Sequence, residues 1–359
     1  MKRTLAFLMT ALFLTMLLIG CGTTTTEAGK TTPLPTSPSG ESTVPTDTAG
    51  TTPETQGETV DFKGEDVRLA LLTGSTGLGA SKLISDSKKN ETVNRYTIDL
   101  TGDPTEVIAG LKTGKYDLAA LPVNVAAKLY NMPDVEVQVV ALNTLGVLYV
   151  LENETETVQS VADLKEKTIY TTGEGATPQY ILEYLLKENG LKAGEDVTVV
   201  YRATADEVQA DIQQAGAIAM LPEPKATVVT KAITTVRYAL DITAEWDKIS
   251  STKVTQGCVV TTKDFATGHK AALDAFLQEY KASVEFINTA DDAAAEAVVE
   301  AGIIGKAPIA KIAIPKSNLV CYGGEEMKGT LSAMLQVLFD LDAKSVGGAM
   351  PGDDFYYEK

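Results

Sequence analysis

The hydrophobic and polar positions divide the chain into three zones. Lys2 and Arg3 precede an apolar run over residues 5–19 that is broken only by Thr10 and Thr15. This run is shorter than the ~20 residues a membrane span needs and small residues follow it, so it predicts the core of a secretory leader over residues 1–20. Residues 22–60 are dominated by Thr, Pro, Ser and Gly, with Leu34, Val44 and Val60 as the large apolar exceptions. Such a segment buries too little surface to offset its ordering entropy, and residues 21–65 are expected to form a disordered tether. From residue 66 onward, short β-branched apolar runs alternate with helix-like segments, the pattern of α/β layers with mostly parallel strands.

Within the third zone, residues 67–73 predict a strand, followed by a Gly-rich stretch at 74–79 and a helix from Ala80. Asp103, Pro104 and Glu106 suit the N-cap, first and third positions of a helix that runs to Lys112 or Thr113, with Gly114 beyond its end and a strand at 116–121. Thr204 and Glu207 form a second capping box, with a helix to about Ala215 and a strand at 217–221. The two stretches echo one another: Glu106-Val107, Gly114 and Leu121-Pro122 correspond to Glu207-Val208, Gly216 and Leu221-Pro222. Two lobes of similar topology would produce this echo. Between them lie a strand at 168–172, a helix at 179–189 with Thr177 as N-cap and Pro178 at its first position, Gly190 closing it, and a strand at 195–201. A strand at 258–262 and helices at 270–288, 291–301 and 325–341 complete the order, with crossovers between lobes near 145–150 and 245–255.

Length and charge narrow the chemistry. A chain of 359 residues suggests two domains at about 150 residues each. With 31 Lys and Arg against 48 Asp and Glu, and a formal net charge of −17, a nucleic-acid partner is excluded and the excess acid speaks to solubility. One His and three Cys are too few soft ligands for a zinc or iron–sulfur site, and neither a metal nor a cofactor is expected. The single His269 sits at a polar helix start and reads as a surface residue. The chain contains no G-x-S-x-G, H-E-x-x-H or C-x-x-C, so no enzyme is expected. Cys258 and Cys321 read as buried free thiols, with a disulfide as the alternative that an exported chain permits.

Ligands of open α/β sheets bind beyond the carboxyl ends of the strands. Three segments have that placement. Gly74, Ser75, Thr76, Gly77, Leu78 and Gly79 have the spacing G-x-x-G-x-G, which is neither a dinucleotide fingerprint nor a phosphate loop, and they read as backbone donors for a small ligand or as a structural turn. Gly173 to Thr177 permits close backbone approach, with Thr177 either capping the helix or touching a ligand. Pro122, Val123 and Asn124 end one strand, and Pro222 and Glu223 end its counterpart. Asn124 and Glu223 then face a groove, or Glu223 is a solvated loop carboxylate. Tyr149, Tyr180 and Trp246 are walls of that groove or core residues.

Leu18-Ile19-Gly20-Cys21 resembles the bacterial lipobox, in which cleavage precedes the Cys and a diacylglycerol is attached to its sulfur. Two or more lipid chains hold a protein firmly at a membrane, each buried CH₂ contributing about 0.8 kcal/mol. The folded part resembles the solute-binding lipoproteins of ABC importers, within them the nitrate/sulfonate/bicarbonate and thiamine-precursor group. The likeness rests on Leu111-Lys-Thr-Gly-Lys-Tyr-Asp-Leu-Ala-Ala-Leu-Pro-Val-Asn124, Thr172-Gly-Glu-Gly-Ala-Thr-Pro-Gln-Tyr-Ile181, Met220-Leu-Pro-Glu-Pro224 and Gln256-Gly-Cys-Val-Val260.

The resemblance implies a two-lobed type II periplasmic-binding-protein fold, each lobe a mostly parallel sheet flanked by helices. Lobe 1 would comprise 66–148 and 250–359, and lobe 2 would comprise 149–249. It implies a monomer on the extracytoplasmic face of the membrane that closes over a small molecule and delivers it to a permease. By motif position, the contacts would come from residues 74–79, Pro122, Val123, Asn124, Asn143, Thr144, Gly175, Ala176, Thr177, Glu223, Gln256 and Gly257. The sequence departs from that group in lacking an Arg in the first loop or the 173–177 loop, which weakens nitrate or alkanesulfonate as the ligand. No His lies in a candidate loop, unlike the group's pyrimidine-synthesising relatives. An exported enzyme on the same fold and a ligand-sensing or adhesive surface lipoprotein are the alternatives.

Overall fold

The computed structural model describes residues 63–358. The leader expected over 1–20, Cys21 and the tether up to residue 62 lie outside the described residues. The chain first lays down β1 (Asp66–Leu72), α1 (Ser75–Leu78), α2 (Ser81–Lys88), β2 (Arg95–Thr101), α3 (Pro104–Lys112), β3 (Leu118–Pro122), α4 (Val123–Tyr130) and β4 (Val137–Leu145). It continues with β5 (Leu148–Asn153), β6 (Thr168–Thr171), α5 (Thr177–Glu188), β7 (Thr198–Tyr201), α6 (Ala205–Asp211), β8 (Ile218–Pro222), α7 (Lys225–Ala232), β9 (Val236–Asp241) and α8 (Ile242–Asp247). The last stretch is β10 (Thr255–Thr262), α9 (Lys263–Gly268), α10 (Lys270–Ile287), α11 (Asp292–Glu300), α12 (Ala307–Ala313), β11 (Leu319–Tyr322) and α13 (Gly324–Leu341).

The strands form a six-stranded sheet of order β11-β4-β10-β3-β1-β2 and a five-stranded sheet of order β7-β6-β8-β5-β9. Read from its other edge, β9-β5-β8-β6-β7 repeats β4-β10-β3-β1-β2, so α3–β3 and α6–β8 are equivalent units. That equivalence is the source of the sequence echo ending at Pro122 and Pro222. In each sheet β1, β3 and β2, or β6, β8 and β7, are parallel neighbours, and the strand beside β3 or β8 runs against them: β10 pairs antiparallel with β3, and β5 with β8. At the edge of the first sheet β11, antiparallel to β4, runs the same way as β10.

Both faces of each sheet are covered, which is why β3 and β8 read as unbroken apolar runs rather than alternating ones. On β3, Ala119 and Leu121 join one core cluster while Leu118 and Ala120 join another on the opposite face. On β8, Ile218 and Met220 share the first of these clusters, and Ala219 and Leu221 belong to a third. Residues of both sheets meet in one continuous core, with α4 and α13 packed against α5. At about 1.5–3 kcal/mol per fully buried large apolar side chain, this shared core is the main force holding the two halves in one body.

Local signals place several elements as expected. The Asp103 side chain accepts the Thr105 N–H at 2.8 Å, and Thr204 and Glu207 form the capping box. Thr177 differs: Ala176 is the N-cap of α5, and the Thr177 hydroxyl donates instead to Asn124 Oδ1 at 2.9 Å. α6 stops at Asp211 rather than near residue 215, and the strand expected at 195–201 is limited to β7 because residues 192–197 form a turn closed by Gly194 N–H on Val197 O. Cys258 is a buried free thiol and Cys321 a partly buried one. His269 lies half-exposed beside Glu65.

A buried ion pair anchors the second sheet at the end remote from the first. The Glu152 side chain is fully enclosed, pairs with Arg237, and accepts from the Thr155 and Thr157 hydroxyls and from the Thr157 and Val158 N–H groups. Burial alone would raise its pKa, but those hydrogen bonds outweigh burial and bring it down from 4.5 to about 2. A depressed carboxyl pKa contributes stability that is present above the unfolded-state value and lost as pH falls through the folded-state value. Replacing Glu152 by Ala is expected to cost about 2–4 kcal/mol near neutral pH by stranding Arg237. In denaturant titrations the gap to wild type should narrow as pH falls from about 5 to about 2.

Candidate functional site

The carboxyl ends of the parallel strands in the two sheets face each other, and the loops that leave them are in contact. The chain passes from the first sheet to the second through Gly146 and Val147 alone, and returns between α8 and β10. A Cβ on Gly146 would lie 2.1 Å from Thr243 Oγ1, so only glycine fits this passage. Asn318 Nδ2 donates to Gly146 O at 2.5 Å, and Glu223 N–H donates to Val147 O at 2.9 Å, pinning the passage to both halves.

Three polar clusters lie along this seam. In the first, the Ser75 hydroxyl at the start of α1 donates to Glu223 O, 2.7 Å away on the second sheet. Beside it, Asn143 Nδ2 donates to Thr76 O at 3.4 Å, and the Thr144 hydroxyl donates to Asn143 Oδ1 at 3.0 Å. Gly257 is the residue that lets these side chains in: a Cβ there would stand 2.4 Å from Asn143 Oδ1 and 2.6 Å from Thr76 Cγ2. At the start of β10, Thr255 Oγ1 and Gln256 Nε2 are buried and have no hydrogen-bond partner among the described residues.

The second cluster joins the first turn of α4 to the loop before α5. Asn124, fully buried, donates through Nδ2 to Gly175 O and Ser345 O, each at 3.1 Å, and accepts the Thr177 hydroxyl. Lys128, one turn further along α4, donates to Gly175 O at 2.7 Å. Burial lowers its pKa.

The third surrounds Glu223, whose side chain is fully buried. Its Oε1 accepts the Tyr238 hydroxyl at 2.7 Å and the Thr227 hydroxyl at 2.9 Å, and its Oε2 accepts the Thr227 N–H at 3.1 Å. Burial raises its carboxyl pKa despite these donors. Tyr149 stands edge-on to Tyr238, and Lys316 from the first half lies over the Tyr238 ring.

A family model described as "ABC transporter, phosphonate, periplasmic substrate-binding protein" matches residues 89–301. The chain belongs to this family. Members are extracytoplasmic binding proteins, and the two-sheet architecture is the periplasmic-binding-protein fold. An ABC transporter structure from Parabacteroides distasonis is similar at 22% identity and a TM-score of 0.68, covering 82% of this chain and 99% of that one. The periplasmic aliphatic sulphonate binding protein SsuA from Escherichia coli is similar at 14% identity and a TM-score of 0.65, over 82% and 92%. The alkanesulfonate-binding protein SsuA from Xanthomonas axonopodis pv. citri bound to MOPS is similar at 13% identity and a TM-score of 0.62, over 80% and 94%. Among curated proteins none matches the chain. No helix among the described residues is long and apolar enough to cross a membrane.

In this binding protein, Ser75, Thr76, Asn124, Asn143, Thr144, Gly175, Thr177, Glu223, Gln256 and Gly257 all fall along or beside the seam. Leu78 and Val123 turn their side chains into the core. The N–H groups of Gly77 and Leu78 are already held by Gly74 O, and Gly79 faces Val284 and Tyr280. Gly74, Pro122 and Ala176 shape the turns that present their neighbours. Trp246 is core, its ring tilted against Tyr184 at 4.7 Å, with its indole N–H on Thr252 O at 2.6 Å. Tyr180 is buried beneath Lys128, and Tyr149 stands at the third cluster.

Sequence reasoning missed Lys128, Thr227, Tyr238 and Lys316. Lys128 follows Asn124 by four residues on α4, a helical spacing that puts the pair on one face and was readable; Thr227 lies in the first turn of α7, and its N–H reaches back to the Glu223 carboxylate ahead of the helix. Tyr238 and Lys316 reach the site only through the tertiary fold.

Substituting Ala at Gly257 should displace Asn143 and Thr76, costing about 1–3 kcal/mol in a denaturant titration. Asn124→Ala strands the Thr177 hydroxyl and two carbonyls, and should lower stability by a similar 1–3 kcal/mol, roughly the cost of buried polar groups left unpaired.

Proposed function

We propose that this chain is the solute-binding lipoprotein of an ABC importer. It is anchored through a lipid on Cys21, lifted from the membrane on its Thr-rich tether, and closes two halves over a small molecule that it hands to a permease. The halves that move are 66–148 with 250–359, and 149–249. The observation that carries this reading is the seam itself: Ser75 on Glu223 and Asn124 on Gly175 bind loops of one sheet to loops of the other. Contacts of this kind exist only when the halves are together, so a solute that touches both favours the closed arrangement by its differential affinity.

The solute contacts we assign are Ser75, Thr76, Asn124, Asn143, Thr144, Gly175, Thr177, Glu223, Gln256 and Gly257. The unpartnered Thr255 hydroxyl and Gln256 amide offer buried donors beside them, groups that folded proteins ordinarily satisfy. A binding role rather than catalysis is supported by the family's character. It is also supported by the position of His269, which lines a cavity with Arg68 and Asp117 at the opposite strand ends, away from the seam.

Native mass spectrometry of the protein purified without denaturation tests this function. We expect a co-purified small molecule that leaves on unfolding with its mass unchanged and raises the thermal midpoint when added back. Ser75→Ala combined with Glu223→Gln should weaken that rise at least tenfold in apparent affinity, the effect of about 1.4 kcal/mol. Recovery of a chemically altered molecule, or binding indifferent to both substitutions, would overturn the proposal.

A further inference from the structure

Lys316 closes a short 3₁₀ turn after α12, in the half built on the first sheet. Its ammonium lies 3.5 Å from the centre of the Tyr238 ring, on β9 of the second sheet. The contact is made in both directions, because the Tyr149 hydroxyl, from β5, donates to Lys316 O at 3.1 Å. Tyr149 and Tyr238 meet edge-to-face at 5.2 Å, and the Tyr238 hydroxyl is bound to Glu223. One lysine of the first half thus lies over one aromatic ring of the second, within the field of a buried carboxylate, while its backbone carbonyl accepts the hydroxyl of a second tyrosine.

The ammonium donates to no oxygen among the described residues, so its stabilisation comes from the ring face and the charge of Glu223. Burial lowers the Lys316 pKa and raises that of Glu223, and each charge eases the other's burial across the seam. The other charges acting on Lys316 are Lys231 and Asp241, which oppose one another in sign. A cation over an aromatic face gains strength as water is excluded. The contact therefore strengthens as the halves approach and vanishes as they part.

We propose that Lys316 is an interlobe clasp, a positioning residue whose charge on the Tyr238–Glu223 pair biases the two halves toward the closed arrangement. The inference rests on the hinge closure proposed above, but it is tested without any solute. Met at position 316 keeps the apolar stem and removes the charge, whereas Arg keeps the charge and stacks on the ring. Spin labels at Thr113 and Ala210, exposed positions on opposite halves, report the separation in the full chain carrying Cys21→Ser and Cys321→Ser.

Lys316→Met should raise the ratio of open to closed molecules by about three- to tenfold, the range a partly exposed cation–π contact supports, while Lys316→Arg stays close to wild type. A Lys316→Met distribution that superimposes on wild type, or an Arg variant displaced as far as the Met variant, overturns the clasp. Asn124→Ala separates loss of the clasp from loss of hinge closure. If it widens the distribution and Lys316→Met does not, the clasp alone fails; if none of the variants changes the distance, hinge closure fails with it.

Discussion

The structure depends on how the chain changes sheets. In each sheet, the antiparallel strand next to the parallel set is the one that arrives from the other half: β5 follows β4 after Gly146 and Val147, and β10 enters after α8. A passage this short forces the end of β4 and the start of β5 to lie together. Because β5 and β10 each run antiparallel to their neighbours, the carboxyl ends of β1 and β3 and those of β6 and β8 must point at the same seam. The loops at 74–79, 122–124, 173–177 and 222–227 are thereby delivered to one place, and Gly146, with no room for a side chain against Thr243, is the residue that permits it.

Two buried glutamates at opposite ends of the second sheet show how differently a carboxylate can be set. Glu152 is held by four hydrogen-bonding groups of the 155–158 loop and by Arg237, and its pKa falls. Glu223 has Tyr238 and the hydroxyl and N–H of Thr227, with Lys316 acting through charge alone, and its burial wins. The first carboxylate is a structural anchor with all of its demand met within one half. The second draws part of its stabilisation from the other half, so its environment would change with any separation of the halves. Under the proposed hinge closure, electrostatics of this kind would link the seam's chemistry to motion, which a carboxylate satisfied within its own half could not do.

Much of this was legible in the sequence, because the informative signals are local. Asp103 and Thr204 cap helices where their spacing predicts, and the echo ending at Pro122 and Pro222 reflects two equivalent strand–helix units. Asn124 and Glu223 were placed at strand ends by proline alone, and the structure sets both on the seam. What the sequence concealed was tertiary in origin. The stretch 74–79 reads as a Gly-rich turn yet contains a helical turn, because Gly74 O accepts the N–H groups of Gly77 and Leu78. Thr177 has the composition of a cap, but a buried Asn124 competes for its hydroxyl and wins. Lys316 and Tyr238 are distant in sequence and sit in unremarkable surroundings, so no periodicity brings them together; only the register of β9 beside β5 and the course of the chain after α12 do so.

A small molecule held between these two rows of strand ends would protect both of them, and amide hydrogen exchange with and without the co-purified molecule reads that protection. Slowed exchange is expected in both halves at once, over residues 74–79 and 143–147 of the first and residues 173–177 and 222–227 of the second. Slowing confined to one half, or concentrated at the cavity lined by Arg68, Asp117 and His269, would contradict it.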